Sequence, residues 1–292
     1  MTAVPYPVRL LLVGLGLLWA AAGVQAAPVK IVATIPPYAM LAQAVAGTDA
    51  AVHTLVTRGH DPHHYDPTVR DMARLHEADV VVHNGIGQKQ VENHLDQAGD
   101  AVDFNVAETA PFEAITDERG ATNGHIWLDP HVMIRAAAAL AAQLAALEPE
   151  RASTYAGNAA RFIAAVQAAD AEAAATLAAI QPRRVVTYHR GFDYFFRHYD
   201  ITVSGSYLDL AGNEPSGQAL TRLLDRIRAE DIPALFLEPQ LPEDPGRALA
   251  KEAGVELGTL DPLGFATEIT DYPTLLTYNA EQVAAAYGAK KP

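Results

Sequence analysis

The chain has 292 residues, no cysteine and a formal net charge of −14. Nucleic acids and anionic lipid surfaces bind through lysine and arginine patches, so a chain this acidic is a poor candidate for either partner. Without cysteine it has no disulfide, no thiol nucleophile and no thiolate ligand. Any metal site must therefore use nitrogen and oxygen donors, and 11 histidines, the last of them His198, supply the nitrogen.

Residues 1–26 have the pattern of a secretory signal peptide. One charge, Arg9, precedes an apolar run over residues 10–24, and small residues follow before Ala27. The run is shorter than the roughly 20 residues that a membrane-spanning helix needs. The pattern predicts a protein exported to a Gram-negative periplasm. Because no cysteine lies near the cleavage point, we expect no lipid anchor.

Residues 27–148 alternate short β-branched runs with amphipathic helical stretches, which is typical of a doubly wound α/β lobe. Thr68 and Asp71 have capping-box spacing at the start of one helix. The predicted strands are KIVATI (30–35), AAVHTLV (50–56), DVVVHN (79–84) and AVDFNV (101–106).

The middle of the chain is dominated by alanine and other strong helix formers. Pro149 can lie only near a helix start, so the pattern predicts one helix over residues 133–147 and a second over 150–180. At 1.5 Å per residue the second helix would be roughly 45 Å long, which is more than one lobe needs. We therefore expect residues 149–181 to link two lobes.

Residues 182–292 return to the alternating pattern and predict a second α/β lobe. The predicted strands are RRVVTYH (183–189), ITVSGS (201–206), PALFLEP (233–239) and VELGTL (255–260). The fold class is thus α/β, with two doubly wound lobes joined by one long rigid helix.

Polar side chains follow the predicted strands in four places, where ligands bind in open α/β sheets. Two places precede the long helix and two follow it, so a shared site would lie in a cleft between the lobes. Three histidines and one aspartate would supply a four-coordinate set for a divalent transition metal. The candidates are His60, His63 and His64 in one loop, His125 and Asp129 in the next, then His189 and Asp261.

The loop GHDPHHYDPT (59–68) contains two prolines, which favour extended chain before them. Neighbouring side chains in extended chain point in opposite directions, so at most one of His63 and His64 should face a given site. Spacing alone does not say which. Asp129 is equally well explained as a helix cap. We expect structural or solvated roles for His53, His76, His83, His94 and His198.

Several motifs together resemble the metal-binding proteins of zinc and manganese ABC importers, the ZnuA/TroA-like proteins of cluster A-I. Residues 59–85 resemble the family signature, and HIWLDPH, VVTYHRGFDYFF, EPSGQAL, ALFLEPQ and LDPLG follow in the family's order. The resemblance covers nearly all of residues 27–292. It implies two α/β lobes joined by a long helix, with the metal between them held by His63, His125, His189 and Asp261.

Manganese members of that family typically have glutamate at the position of His189, so histidine there favours Zn²⁺, with Mn²⁺ or Fe²⁺ as the alternative. The resemblance implies a periplasmic solute-binding protein that captures Zn²⁺ and delivers it to the permease of an ABC importer. A periplasmic metallochaperone is a further candidate partner. We expect a monomer that is not an enzyme. A secreted zinc hydrolase, the alternative from another class, would need an open coordination position, which four protein ligands would close.

Overall fold

The computed structural model describes residues 1–2 and 27–288, and it contains two four-stranded sheets in which all strands are parallel. The predicted signal peptide lies almost entirely outside the described residues and stays a prediction. The first sheet has the order β2-β1-β3-β4 and the second has the order β6-β5-β7-β8. All eight predicted strands are confirmed. They are β1 (Lys30–Ala33), β2 (Ala51–Thr54), β3 (Val80–His83), β4 (Val102–Asn105), β5 (Arg184–His189), β6 (Thr202–Leu208), β7 (Ala234–Leu237) and β8 (Glu256–Thr259).

Ten helices connect or flank these strands within the described residues. The predicted capping box is present, with Thr68 and Asp71 bonded reciprocally at the start of α2. The helices are α1 (Pro36–Ala46), α2 (Val69–His76), α3 (Lys89–Glu92), α4 (Val106–Thr109), α5 (Pro130–Leu147), α6 (Ala152–Leu177), α7 (Asp193–His198), α8 (Gly217–Ala229), α9 (Glu243–Ala253) and α10 (Tyr272–Ala286). We call the part built on β1–β4 the first lobe and the part built on β5–β8 the second lobe.

The long helix between the lobes is α6. Its 26 residues span about 39 Å, somewhat less than expected, because residues Pro149–Arg151 form a separate 3₁₀ turn before it and because it ends at Leu177, before the predicted end at residue 180. It does not stand alone, because it packs along α5, α10 and α1. Helix α10 had no counterpart in the sequence prediction. These contacts make α6 the centre of a helical layer that both lobes share.

One continuous apolar core runs through both lobes. It includes Val82 of the first sheet, Leu140 of α5, Phe162 of α6 and Phe196 of α7. Helix α5 has the length and apolar composition of a membrane-spanning helix, yet the face that carries Leu140 is buried against the rest of the core. The shared core holds the loops of the two sheets at fixed positions relative to each other.

Candidate metal centre

Three histidine side chains from separate segments meet between the lobes. His63 lies in the loop after β2, His125 directly precedes the 3₁₀ turn Ile126–Leu128, and His189 is the last residue of β5. One ring nitrogen of each lies within 4.8 Å of those of the other two. The ring centroids are 5.0, 5.3 and 5.4 Å apart. The structure thus brings together three of the four predicted ligands, from both lobes.

Asp61 contacts the two neighbouring histidines of the first loop in different ways. Its Oδ1 accepts the backbone N–H of His63 at 3.0 Å, and its Oδ2 lies 2.8 Å from Nδ1 of His64. The His64 side chain is 70% exposed, whereas His63 is partly buried within the three-histidine group. His60 is exposed and packs edge-to-face on Tyr65. The loop therefore presents one histidine to the cleft.

Asn123 holds the imidazole of His125. The fully buried amide donates from Nδ2 to the carbonyl of Arg190 at 2.8 Å, which directs Oδ1 toward His125. That oxygen accepts the backbone N–H of His125 at 3.0 Å and lies 2.8 Å from its Nδ1. The ring must therefore carry its proton on Nδ1, which leaves the Nε2 lone pair free for a metal.

Glu238 lies beside His189 at the end of the neighbouring strand. It directly follows β7, which pairs with β5, and its Oε1 is 3.5 Å from Nδ1 of His189. Both side chains are almost completely buried, and Gln240 donates to Oε2 at 2.6 Å. The backbone approaches closely here, because a Cβ on Gly191 would lie 3.2 Å from Glu238 Oε1. Glu238 is thus a buried carboxylate placed behind a candidate ligand.

Asp261, the fourth predicted ligand, is fully buried but does not belong to the compact histidine group. Its Oδ1 accepts the backbone N–H groups of Leu263 at 3.0 Å and Gly264 at 2.8 Å, and its Oδ2 accepts that of Ala266 at 2.6 Å. The carboxylate thereby fixes the loop after β8. The next residue along this loop, Pro262, accepts the indole N–H of Trp127 at 2.7 Å.

Trp127 connects this loop to the histidine group. Its ring lies 5.0 Å from that of His125, measured between centroids, at a tilt of 47°. Because Trp127 also donates to the Pro262 carbonyl, it joins the segment carrying His125 to the segment carrying Asp261. The loop after β8 therefore lies next to the site, even though the Asp261 carboxylate is committed to backbone amides.

Burial and neighbouring charges of both signs set the protonation of the three imidazoles. Burial, helped by the neighbouring charge of His189, lowers the pKa of His63 to about 4. Burial also holds the pKa of His125 well below its usual value. For His189, burial alone would lower the pKa, but the carboxylates of Glu238 and Asp61 outweigh it and raise the pKa above its usual value. At neutral pH, His63 and His125 are neutral and able to bind a metal.

The buried polar atoms of the site fit a divalent cation. Neither ring nitrogen of His189 has a well-formed hydrogen bond to the described residues, and Glu238 Oε1 has none either. Buried polar atoms left unpaired in this way are unfavourable unless a ligand satisfies them. Three imidazole nitrogens with nearby carboxylates form a donor set of the kind that divalent transition metals prefer.

A cavity of about 610 Å³ opens beside His63. Its walls come from both lobes, with Arg119 on one side and Leu210 and Ala211 on the other. This cavity provides a route by which an ion could reach the three-histidine group from solvent.

The family model described as "Zinc-uptake complex component A periplasmic" (ZnuA) matches residues 31–286. The chain belongs to this family. It is 28% identical over 258 residues to the zinc-binding lipoprotein AdcA of Streptococcus pneumoniae, with 82% of this chain and 51% of AdcA covered. The chain therefore spans about half the length of AdcA.

Two further similarities place the family in context. The iron ABC transporter substrate-binding lipoprotein MtsA of Streptococcus pyogenes is 27% identical over 246 residues, which cover 78% of this chain and 77% of MtsA. A crystal structure of ZnuA superimposes with a TM-score of 0.80 at 28% identity, covering 89% of this chain and 99% of ZnuA. The predicted fold class, two parallel-sheet lobes with a long helix, is confirmed. AdcA is named a zinc-binding protein, and MtsA an ABC transporter substrate-binding protein.

Two residues of the site were not found from the sequence. Asn123 lies two residues before His125, and nothing in its local spacing marks it as the partner of that ring. Glu238 had a usable signal, because it follows a predicted strand directly, by the same rule that selected His189. The strand-end candidates predicted from the sequence are histidines and two aspartates, Asp129 and Asp261, and Glu238 is not among them.

Proposed function

We propose that this ZnuA-family protein binds Zn²⁺ through His63, His125 and His189 and delivers it to the permease of an ABC importer. The observation that carries the proposal is the convergence of three imidazoles from both lobes, with ring nitrogens within 4.8 Å of one another. Two of the three have lowered pKa values and stay neutral at physiological pH. A neutral imidazole keeps the lone pair that a metal needs.

We propose Asp261 as the fourth donor. Each oxygen of a carboxylate has two lone pairs, so the oxygen that accepts one backbone N–H, Oδ2, retains capacity for a metal. The proximity of the loop after β8 to His125 through Trp127 supports this role. Three neutral imidazoles and one carboxylate would give bound Zn²⁺ a formal site charge of +1.

Zinc is the proposed cargo because the donor set is dominated by nitrogen. Imidazole suits Zn²⁺, whereas Mn²⁺ prefers sites richer in carboxylate. Mn²⁺ or Fe²⁺ is the alternative cargo, and the relative MtsA is named for iron. Competition titration of the metal-stripped protein with Zn²⁺ against Mn²⁺ distinguishes them. Equal affinity for the two ions would contradict the assignment to zinc.

The proposed setting is the periplasm, with residues 1–26 removed as a signal peptide. Residues 27–148 and 182–292 would form the two lobes, with residues 149–181 as the link. AdcA and MtsA are named lipoproteins, whereas lipid attachment to cysteine has no acceptor in these 292 residues. We propose a monomer that docks on the permease, with a periplasmic metallochaperone as a second candidate partner.

We further propose that the protein is not an enzyme. A zinc hydrolase keeps one coordination position open for water and places a general base beside it. With Asp261 as fourth donor the coordination shell is closed, and the Glu238 carboxylate lies beside Nδ1 of His189. Hydrolysis of model esters or peptides by the zinc-loaded protein would contradict this proposal.

Two neighbouring substitutions test the histidine site directly. His63→Ala removes a proposed ligand, and His64→Ala removes an exposed imidazole one residue away. We expect His63→Ala to lower Zn²⁺ affinity by at least about 100-fold, since loss of a metal ligand costs several kcal/mol. We expect His64→Ala to change it less than about 3-fold. Equal losses in isothermal titration would overturn the proposed ligand set.

A further inference from the structure

A second group of metal-binding side chains lies outside the cleft. Asp129, His131 and His198 each offer one ligand atom within 4.8 Å of those of the other two. Asp129 and His131 lie at the start of α5, and His198 is the last residue of α7. The two imidazoles meet edge-to-face with centroids 4.8 Å apart. None of these three residues belongs to the cleft site.

Only one carboxylate oxygen of Asp129 accepts a hydrogen bond within the part of the chain that the structure describes. As the N-cap of α5, Asp129 accepts the backbone N–H of His131 through Oδ1 at 2.8 Å. This confirms the helix-cap interpretation of Asp129. The cap uses a single oxygen, and Oδ2 makes no hydrogen bond to the described residues. A carboxylate oxygen therefore remains to bind a cation.

A carboxylate on the long helix orients His198. Oδ1 of Asp170, on α6, lies 2.7 Å from Nε2 of His198. Because a carboxylate accepts, Nε2 carries the proton and Nδ1 keeps its lone pair. Asp170 does not belong to the compact group itself, so it is available as the hydrogen-bond partner that orients the His198 ring. Carboxylate, imidazole and metal in series are a common arrangement in protein metal sites.

The positive end of the α5 dipole opposes a cation at this place. The negative charges of Asp129 and Asp170 offset it, since both carboxylates lie close to the imidazole pair. A structural role alone leaves His131 unexplained, because this side chain is exposed at the second position of α5 and has a histidine ring as its packing partner.

We propose that Asp129, His131 and His198 bind a second divalent transition-metal ion of the zinc class. Two imidazoles and one carboxylate form an N₂O set, and three protein ligands leave an open position for water. The site is partly exposed, so we expect it to bind more weakly than the cleft. The ion would join the start of α5 to the end of α7 beside α6, and so restrain the second lobe against the first.

Zinc titration of the metal-stripped protein tests this proposal. We expect two binding events, and His131→Ala should abolish the weaker one while leaving the tighter one unchanged. His131 is exposed, so its loss should not disturb folding, and His198→Gln provides a second variant that retains a polar side chain. His76→Ala, an exposed helical histidine outside both groups, is the matched control and should retain both events.

Co²⁺ absorption supplies an independent readout, because visible d–d bands should grow in two phases in the unaltered protein and in one phase in His131→Ala. A single binding event in the unaltered protein would overturn the proposal. So would two undiminished events in His131→Ala. Equal loss in His76→Ala would show adventitious surface binding only. His63→Ala should remove the tighter binding event and keep the weaker one. The proposal for each site can therefore be contradicted without affecting the other.

Discussion

The side-chain oxygen of Asn123 accepts both the backbone N–H of His125, at 3.0 Å, and the Nδ1–H of its ring, at 2.8 Å. The same amide donates to the carbonyl of Arg190, the residue after His189. One buried side chain thus fixes the tautomer of a candidate ligand in the first lobe and ties it to the strand end that carries another ligand in the second.

Replacing Asn123 with alanine should therefore weaken zinc binding without removing a ligand. Loss of a partner that orients a ligating histidine typically costs 10–100-fold in metal affinity, and we expect about that loss for Asn123→Ala. Asn123→Asp keeps the acceptor for His125 and should restore part of the affinity. Isothermal titration measures both, with exposed Asn93→Ala as the control. Unchanged affinity in Asn123→Ala would show that the ring needs no such support.

Glu238 should control the pH dependence of binding. Its charge helps to raise the pKa of His189, and a protonated His189 must lose its proton before it can bind a metal. Zinc affinity should therefore fall as pH drops through the raised pKa of His189, which lies above the usual histidine value of about 6.5. Protonation of His63, whose pKa is about 4, should lower the affinity further only in more acidic solution. Zinc titrations between pH 8.5 and 5 would give this profile.

Glu238→Gln removes a negative charge and should lower the pKa of His189, because burial lowers this pKa and less negative charge then counteracts it. The midpoint of the affinity profile should move to lower pH, while affinity at pH 8.5 falls because the imidazole is a weaker base. Exposed Glu256→Gln is the matched control. A purely structural role for Glu238 would lower affinity equally at every pH and leave the midpoint in place.

The strands were predictable because a parallel strand that is buried on both faces appears in the sequence as a continuous run of β-branched residues. The four buried residues of β3 are an example. The strand-end rule placed His189 correctly at the end of β5. The pairing of His131 with His198 was not predictable, because it depends on how α5 and α7 pack across the lobes. The hydrogen bonds of Asp261 were equally hidden, since only the folded loop after β8 brings three backbone amides to one carboxylate.

Asp261 should contribute to stability as well as to binding. Asp261→Ala would leave three backbone N–H groups without their acceptor, and hydrogen bonds to a charged group contribute about 1.5–3 kcal/mol each. We expect the free energy of unfolding of the metal-free protein to fall by at least about 3 kcal/mol in urea titrations. Asp271→Asn, which alters an exposed cap of α10, should cost less than about 1 kcal/mol.

Asp261→Asn separates the two roles, because the amide retains one oxygen for the backbone but is a poor metal ligand. If Asp261 is the fourth donor, this variant should bind Zn²⁺ more weakly and shift the d–d bands of bound Co²⁺. A fall in unfolding free energy with unchanged affinity and unchanged bands would restrict Asp261 to its structural role.

A salt bridge between Arg119 and Asp209 should slow metal release. Arg119 Nη2 donates to Asp209 Oδ2 at 2.9 Å, joining the two loops that border the cleft cavity from opposite lobes. Hydrogen bonds from Asn213, Arg119 and Ala211 outweigh the effect of burial and lower the pKa of Asp209 to about 2. A lowered pKa stabilises the folded state above the unfolded value near 4, and this contribution disappears as pH falls toward 2. The bridge is therefore charged throughout the physiological range.

Exposed ion pairs contribute about 0.2–1 kcal/mol, so Arg119→Ala should raise the rate of zinc release to a chelator by roughly 1.4- to 5-fold. Asp209→Asn should match it. High salt should speed release from the unaltered protein, because it screens exposed charges, and should have little effect on either variant. Arg228, which pairs with Asp225 and Glu252 within the second lobe, supplies the control. If Arg228→Ala releases zinc as fast as Arg119→Ala in stopped-flow experiments, the salt bridge between Arg119 and Asp209 does not slow metal release.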